Sequence, residues 1–343
     1  MANNVKISAV NILPVNARGR EYSPAQLADE VIANLAARMG SVAGEHPDLI
    51  ILSECANRPA GLTVDERFHF YHTYGRMIEE FVSSYAKAHR TNIAFGEARV
   101  EKHPEDEAYP YRNSVVYFDR EGEVAGIYDK CFLVPSEHTV TKIGYGKLPE
   151  ELISLDFGKV GTAICFDLHD VTLLERYVAL NPNLIVFSSN FAGKVWADTW
   201  AAQCGAYFAA ALGNALHEMV RIINPFGTVV AASDPETRSA TATVNLDFRI
   251  IHNDDNNTKS TPKFDLAKEK YGDGFSWINT NGGGVSMAQS NLLDKTIDDI
   301  IDEFSILCAD DYFGTTYRQR EAYYKKIGYT PDLTLHPVLG RRK

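Results

Sequence analysis

Apolar residues recur along the chain in two alternating rhythms. Residues 6–13, 48–53, 92–100 and 184–188 are short runs rich in aliphatic and β-branched side chains, and they read as buried strands. Between them the apolar positions step by three or four. Leu27, Val31, Leu35 and Met39 form one such stripe. Ser23-Pro24 supplies a cap and a proline at the first helical position, and Gly40 reads as the stop. Residues 68–88 read as a long helix with Met77, Ile78, Phe81, Val82 and Tyr85 on its inner side.

Hairpin patterns interrupt this alternation. Residues 114–118 and 123–128 flank Asp119-Arg120-Glu121-Gly122, and 152–156 and 160–165 flank Phe157-Gly158-Lys159. A third hairpin turns at Asn224-Pro225-Phe226-Gly227. Thr172 and Glu175 stand at capping-box spacing before a helical run that stops near Asn181-Pro182. Residues 196–204 read as a helix, 206–212 as a strand, and 240–249 as the last clear strand. Helices and hairpins together predict an α/β protein with helices packed on the outer faces of its sheets. After residue 250 the character changes. Residues 253–263 are polar, Gly282-Gly283-Gly284 interrupts the chain, and one amphipathic helix stands out at 291–304. The expected organisation is a domain over 1–250 and a C-terminal extension over 251–343, with no repeat of 20–50 residues.

Composition narrows the function. The 343 residues include 34 basic and 45 acidic side chains, a net charge of −11. That excess disfavours nucleic acid and anionic membrane as main partners. The five cysteines, Cys55, Cys131, Cys165, Cys204 and Cys308, form no CxxC pair and suit a reducing compartment. The N-terminus lacks a secretory pattern, and no apolar run approaches the roughly 20 residues of a membrane helix. A cytoplasmic protein is expected.

Three chemically capable residues share one kind of position. Glu54, Lys130 and Cys165 each follow a predicted strand, and strand C-termini form the rim where open α/β sheets place their sites. A thiol before a helix and near a lysine is expected to ionise more readily, and a carboxylate can take its proton. Each residue also has an ordinary reading, as core filler for the cysteine and as solvated loop residues for the other two.

The motifs decide between these readings. Ser-Glu after an apolar strand, Tyr-Asp-Lys-Cys-Phe-Leu-Val-Pro-Ser-Glu, and Gly-Thr-Ala-Ile-Cys-Phe-Asp occur in that order. With 184–190 and the Asn-Pro-Phe-Gly hairpin, they resemble the nitrilase superfamily of carbon–nitrogen hydrolases over residues 5–249. The resemblance implies a four-layer αββα sandwich and no metal or organic cofactor. It also implies a homodimer or higher homo-oligomer formed through helices beside the cysteine. Carried over by motif position, Glu54 would be the general base, Cys165 the nucleophile, Lys130 the partner of the tetrahedral intermediate, and Glu137 an assisting carboxylate. The substrate would be a small-molecule amide cleaved through a thioester. Phe166-Asp167 after the cysteine resembles the amide-cleaving branches, whereas true nitrilases usually carry Trp-Glu there. A nitrile or N-carbamoyl hydrolase with the same trio, and a catalytically silent scaffold, are the rivals. The chain departs from the family at Ser136, where glycine is usual, at Val171-Thr172, where Pro-Glu is usual, and in the short segment 214–220.

Other groupings carry less. Cys165 and His169 stand four apart as a possible thiol–imidazole pair, and His69 and His72 lie at i, i+3 with no further ligand in reach of the pattern. No GK[ST] follows the triple glycine, so it is not a phosphate loop. Asp298, Asp299, Asp302 and Glu303 read as the solvated face of a helix.

Overall fold

The computed structural model describes residues 1–19, 21–214, 219–233, 236–279 and 284–331. Among the described residues two compact units emerge, one spanning residues 5–243 and one comprising 1–4 and 244–331.

The first half of the larger unit runs β1 (Asn4–Val10), α1 (Pro24–Ala43), β2 (Leu49–Leu52), α2 (Val64–His89), β3 (Asn92–Val100), β4 (Tyr111–Phe118) and β5 (Val124–Asp129). A short α3 (Pro135–Thr139) follows. The second half runs β6 (Ile153–Leu155), β7 (Gly158–Ile164), α4 (Val171–Leu180), β8 (Leu184–Ser189), α5 (Val195–Cys204), β9 (Tyr207–Leu212), β10 (Arg221–Ile223), β11 (Val229–Ala232) and β12 (Ser239–Asn245). The strands form two six-stranded sheets, in the orders β12-β1-β2-β3-β4-β5 and β11-β10-β9-β8-β7-β6. Each sheet repeats one plan. Three parallel strands are joined by helical crossovers, and antiparallel strands then extend the edge. Parallel neighbours need such crossovers, which is why helix and strand patterns alternate in the sequence.

Helices cover the outer face of each sheet. Leu27, Val31, Leu35 and Met39 of α1 and Phe70, Ile78 and Val82 of α2 pack into one cluster with Ile50, Leu52, Ile93 and Phe95. On the second sheet, Tyr177 of α4 and Trp200 of α5 are buried. The inner faces of the sheets meet through Tyr117 Oη and Thr162 Oγ1, 2.6 Å apart, and through Ser188 Oγ, which donates to the Leu52 carbonyl at 2.7 Å. The result is the expected αββα sandwich.

Several boundaries differ from expectation. The first strand ends at Val10. Helix α2 begins at Val64, where Thr63 and Glu66 form a reciprocal capping box, and its Met77 is exposed. Helix α4 is capped by Asp170, whose side chain accepts from Thr172 N–H, so Thr172 lies inside the first turn.

The smaller unit holds β13 (Phe248–His252), α6 (Lys263–Tyr271), β14 (Phe275–Asn279), β15 (Val285–Ser290), α7 (Ile297–Phe304) and α8 (Ala309–Ile327). Its antiparallel sheet has the order β13-β15-β14, and Ile251, Phe264, Phe275, Ala288, Ile297 and Ile300 form a core of their own. The single strand expected over 240–249 is therefore two strands of different sheets, and two more follow it. The polar run after residue 250 is ordered by side-chain bonds to backbone. Buried Asn256 donates to the His252 and Leu307 carbonyls and accepts from Leu307 N–H. Helix α7 starts at Ile297, capped by Thr296 and Asp299. Gly282 and Gly283 lie outside the described residues.

Candidate active site

The two sheets bring strand ends to one rim. Glu54 lies two residues past β2, Lys130 one past β5 and Cys165 one past β7. Strand β5 runs in the direction of β2, because each is separated from the other by β3 and the antiparallel β4. Asn113, at the entrance of β4, shares the inner face with Val115 and Tyr117.

Lys130 sits between two carboxylates. Its Nζ donates to Glu54 Oε1 at 3.1 Å and to Glu137 Oε1 and Oε2 at 3.0 and 2.9 Å. Asn113 Nδ2 bridges the same two acids, at 2.7 Å to Glu54 Oε1 and 3.0 Å to Glu137 Oε1. Asn190 Nδ2 donates to the other Glu54 oxygen at 2.6 Å. Val134 N–H donates to Glu137 Oε2 at 2.8 Å and fixes α3 under the lysine. The Lys130 and Glu54 side chains are only 1% and 4% exposed.

This pairing sets the charges. Burial alone would raise the Glu54 carboxyl, but the Lys130 charge and the Asn113 hydrogen bond outweigh it and hold the group below the usual carboxylate range. Burial would lower the Lys130 amine, but Glu54, the Cys165 sulfur and Glu137 raise it well above an ordinary lysine. An ammonium beside a carboxylate is the resting state.

Cys165 opens a short 3₁₀ turn, Cys165–His169, and its own φ is +49°, in the left-handed region that non-glycine residues seldom occupy. Its thiol is not depressed, as expected from the sequence, but raised to about 12. Burial is the main cause and the Glu54 charge the next, against the opposing pull of Lys130, Asn190 N–H and the Ser189 side chain. The reason lies in the local fold. The first regular helix after the thiol, α4, starts only at Val171, so the thiol does not sit in the first turn of that helix.

The glutamate end is equally constrained. Cys55, next to Glu54, also has a left-handed φ of +50°. Ala56 N–H donates to the Gly96 carbonyl at 2.7 Å. A Cβ on Gly96 would collide with the Ser53 carbonyl, so only glycine lets β3 pass this close to the turn that carries the glutamate.

The sequence-derived quartet Glu54, Lys130, Glu137 and Cys165 is thus brought to one rim. Cys165 and His169 do not pair: His169 Nδ1 lies 3.2 Å from the Phe166 carbonyl, and its ring packs against Phe166, Phe191 and Trp196. His72 Nε2 is engaged at 3.1 Å with Tyr111 Oη. Among the described residues no group of three or more His, Cys, Asp or Glu is arranged to hold a metal ion. Asn113 and Asn190 were not foreseen. Each lies beside an apolar strand run, and neither type is distinctive in such a place.

The carbon–nitrogen hydrolase family model matches residues 20–251. The chain belongs to this family. Among curated proteins, the Schizosaccharomyces pombe protein named Probable nitrilase C965.09 is 26% identical over 180 residues, covering 48% of this chain and 64% of the relative. Among solved structures, the Caenorhabditis elegans NitFhit protein superposes with a TM-score of 0.59 at 18% identity, covering 71% of this chain and 61% of that one. The chain thus spans less than two thirds of either. A Nesterenkonia amidase, a double mutant in complex with acrylamide, superposes with a TM-score of 0.57 at 12% identity, over 71% of this chain and 91% of that one. These two structural likenesses concern the fold. The motif resemblance to the nitrilase superfamily is borne out by the family match.

Proposed function

We propose that this carbon–nitrogen hydrolase cleaves a small-molecule amide through a Cys165 thioester. The observation that carries the reading is the placement of Lys130 Nζ between Glu54 and Glu137, with the charges of Glu54 and Lys130 both acting on the Cys165 sulfur.

In this mechanism Glu54, ionised at rest, takes the thiol proton as the sulfur attacks the carbonyl carbon. The thiol is raised and the carboxyl lowered, so a free thiolate would be scarce. Proton transfer therefore accompanies formation of the S–C bond, as in general-base catalysis. Negative charge moves to the carbonyl oxygen, where the Lys130 ammonium stabilises it. The C–N bond then breaks, and Glu54 returns the proton to the departing nitrogen. Glu54 next takes a proton from water as the water oxygen attacks the thioester, and passes it to the sulfur as the C–S bond breaks and Cys165 leaves as the thiol. Glu137 and Asn113 hold Lys130 and Glu54 in register throughout. The stacked rings of Phe132 and Phe166, 5.3 Å apart, lie two residues after the lysine and one after the cysteine in the chain and suit an apolar acyl group.

The test is an ammonia-release screen over amides, nitriles and N-carbamoyl compounds, with Cys165→Ala as blank. Turnover of an amide is expected. Release from a nitrile, with none from the matching amide, would reassign the substrate to the class named for the Schizosaccharomyces pombe relative.

The reading extends to organisation. Residues 1–250 would carry the chemistry and 251–343 an extension, in a cytoplasmic homodimer that buries α4 and α5. Val178 and Val195, on those helices, are exposed apolar side chains available for such burial. Sedimentation of a monomer at micromolar concentration would remove the dimer and leave the chemistry standing.

A further inference from the structure

Asp167 lies two residues beyond Cys165 and is wholly buried, yet the reaction above gives it no part. Its two oxygens receive four hydrogen bonds. Oδ1 accepts from the backbone N–H of Cys131 at 3.1 Å and of Phe132 at 2.7 Å. Oδ2 accepts from the backbone N–H of Ile164 at 2.8 Å and from the Tyr128 hydroxyl at 2.9 Å. A carboxylate offers about four acceptor sites, so all are used. The donors bracket the reactive groups. Cys131 and Phe132 directly follow Lys130, Tyr128 stands two before it, and Ile164 directly precedes Cys165.

A carboxylate that merely finished its own turn would need only the Ile164 N–H, three residues back. Three of the four donors come instead from the strand end and loop of the first sheet, about Lys130, while Asp167 itself belongs to the turn after β7 of the second sheet. We propose that Asp167 is a positioning residue that locks the Lys130 loop to the Cys165 turn and so fixes the nucleophile relative to the ammonium that receives the oxyanion. The inference rests on the reading of Cys165 and Lys130 given above.

Burial pushes the Asp167 carboxyl up to about 7, against the pull of Ile164 N–H, the Lys130 charge, Phe132 N–H and the Tyr128 hydroxyl. Holding a charge here costs stability, a cost the four donors offset in part.

Asp167→Asn gives a directional test because it keeps size and shape. An amide has one acceptor oxygen and one donor nitrogen. The Cys131 and Phe132 N–H groups cannot reverse, whereas the Tyr128 hydroxyl can turn and accept. The amide oxygen therefore stays on the lysine side, and the Ile164 N–H, next to Cys165, loses its partner.

The readouts are kcat and KM, and site-resolved alkylation of Cys165 by iodoacetamide as a function of pH, with Cys165→Ala as blank. For Asp167→Asn we expect kcat to fall by about 10²-fold with KM within about twofold, the pattern of a misplaced reactive group. The alkylation profile of Cys165 should shift along with kcat. Tyr128→Phe removes one of the four bonds without adding a misdirected donor, and should lower kcat by about 3–10-fold, the value of one hydrogen bond. It decides the matter if Asp167→Asn fails to fold. An unchanged kcat and alkylation profile in folded Asp167→Asn, or in Tyr128→Phe where it is the arbiter, overturns the proposal. Undiminished turnover in Cys165→Ala overturns it by a separate route, because the nucleophile assignment beneath it is then wrong.

Discussion

Lys130 Nζ donates to both oxygens of Glu137, at 3.0 and 2.9 Å, and the same nitrogen reaches Glu54 Oε1 at 3.1 Å. Two carboxylates share one buried ammonium, and the Arg58 guanidinium acts on both acids as well. Removing the lysine therefore does more than delete an oxyanion partner, because two acids lose their directly bonded counter-charge together. Lys130→Ala is expected to lower kcat by about 10²–10³ and to lower the thermal midpoint as well. Lys130→Arg keeps the charge but not the fit, and should recover stability more than kcat. Steady-state turnover and thermal melts on the same preparations check this. Near-normal turnover in Lys130→Ala would remove the oxyanion assignment.

Cys165→Ala should abolish turnover, since no other described group at the rim is placed to form the acyl bond. Cys165→Ser should be nearly as inactive, because a hydroxyl is harder still to ionise and Glu54 is a weak base. Glu54→Gln should lose hydrolysis yet retain slow acylation by an activated ester. Intact-mass measurement of the acyl adduct distinguishes the two steps.

Asn113 gives a third prediction. Its amide nitrogen holds Glu54 and Glu137 at once, and it is 1% exposed. Asn113→Leu should cost about 2–4 kcal/mol of stability, since hydrogen bonds to charged groups are lost and two acids lose a partner. It should also raise the pH at which activity fails on the acid side, because the bond helps to keep Glu54 ionised. A pH–rate profile with an unmoved acid limb would argue against it.

Stability against pH offers a fourth. The folded Asp167 carboxyl is raised to about 7 from its ordinary 3.8, so the folded state holds a proton that the unfolded state has released. Its contribution must make stability fall as pH rises from about 4 to about 7. Glu54, whose folded pKa is depressed, acts oppositely: its stabilisation is present above the ordinary carboxylate range and fades as pH falls through the folded value. Urea midpoints between pH 4 and 8 should therefore decline more steeply in the parent than in Asp167→Asn. Among the described residues, Lys130, Tyr128, Cys131 and Tyr177 interact electrostatically with Asp167, and none is expected to titrate in that interval.

A control lies far from the chemistry. Arg120 joins Asp48, Asp156 and the Arg90 carbonyl, at 2.6, 2.6 and 2.8 Å, where the β4–β5 turn meets both sheets. These partners are partly solvated, so Arg120→Ala should cost only about 1–2 kcal/mol and leave kcat unchanged. A fall in kcat at undiminished stability would show coupling that the packing does not explain.

The larger unit was legible because periodicity and burial agree there. The stripe from Leu27 to Met39 had to lie on a sheet, and the run from Leu49 to Leu52 had to be a strand. Glu54, Lys130 and Cys165 stood out through strand-end placement joined to motif order. The smaller unit was less legible for a definite reason. Asn256 organises its polar opening through four side-chain bonds, an arrangement that hydrophobic rhythm does not encode. Asp167 was noticed only as a neighbour of the cysteine, since nothing in its spacing tells that its partners lie 35 and 36 residues upstream. The raised thiol is not legible because burial and the facing Glu54 charge, its two main causes, depend on packing between segments far apart in the chain.

The left-handed φ of Cys165 has an evolutionary side. That conformation costs a non-glycine residue about 1 kcal/mol or more, and glycine would adopt it freely. Replacing the nucleophile by glycine would relieve the backbone at the moment it destroys the reaction. Drift toward greater stability thus runs straight through loss of function at this position. A lineage released from selection for turnover would be expected to shed the cysteine early, and a laboratory screen for thermostability alone would be expected to discard it too.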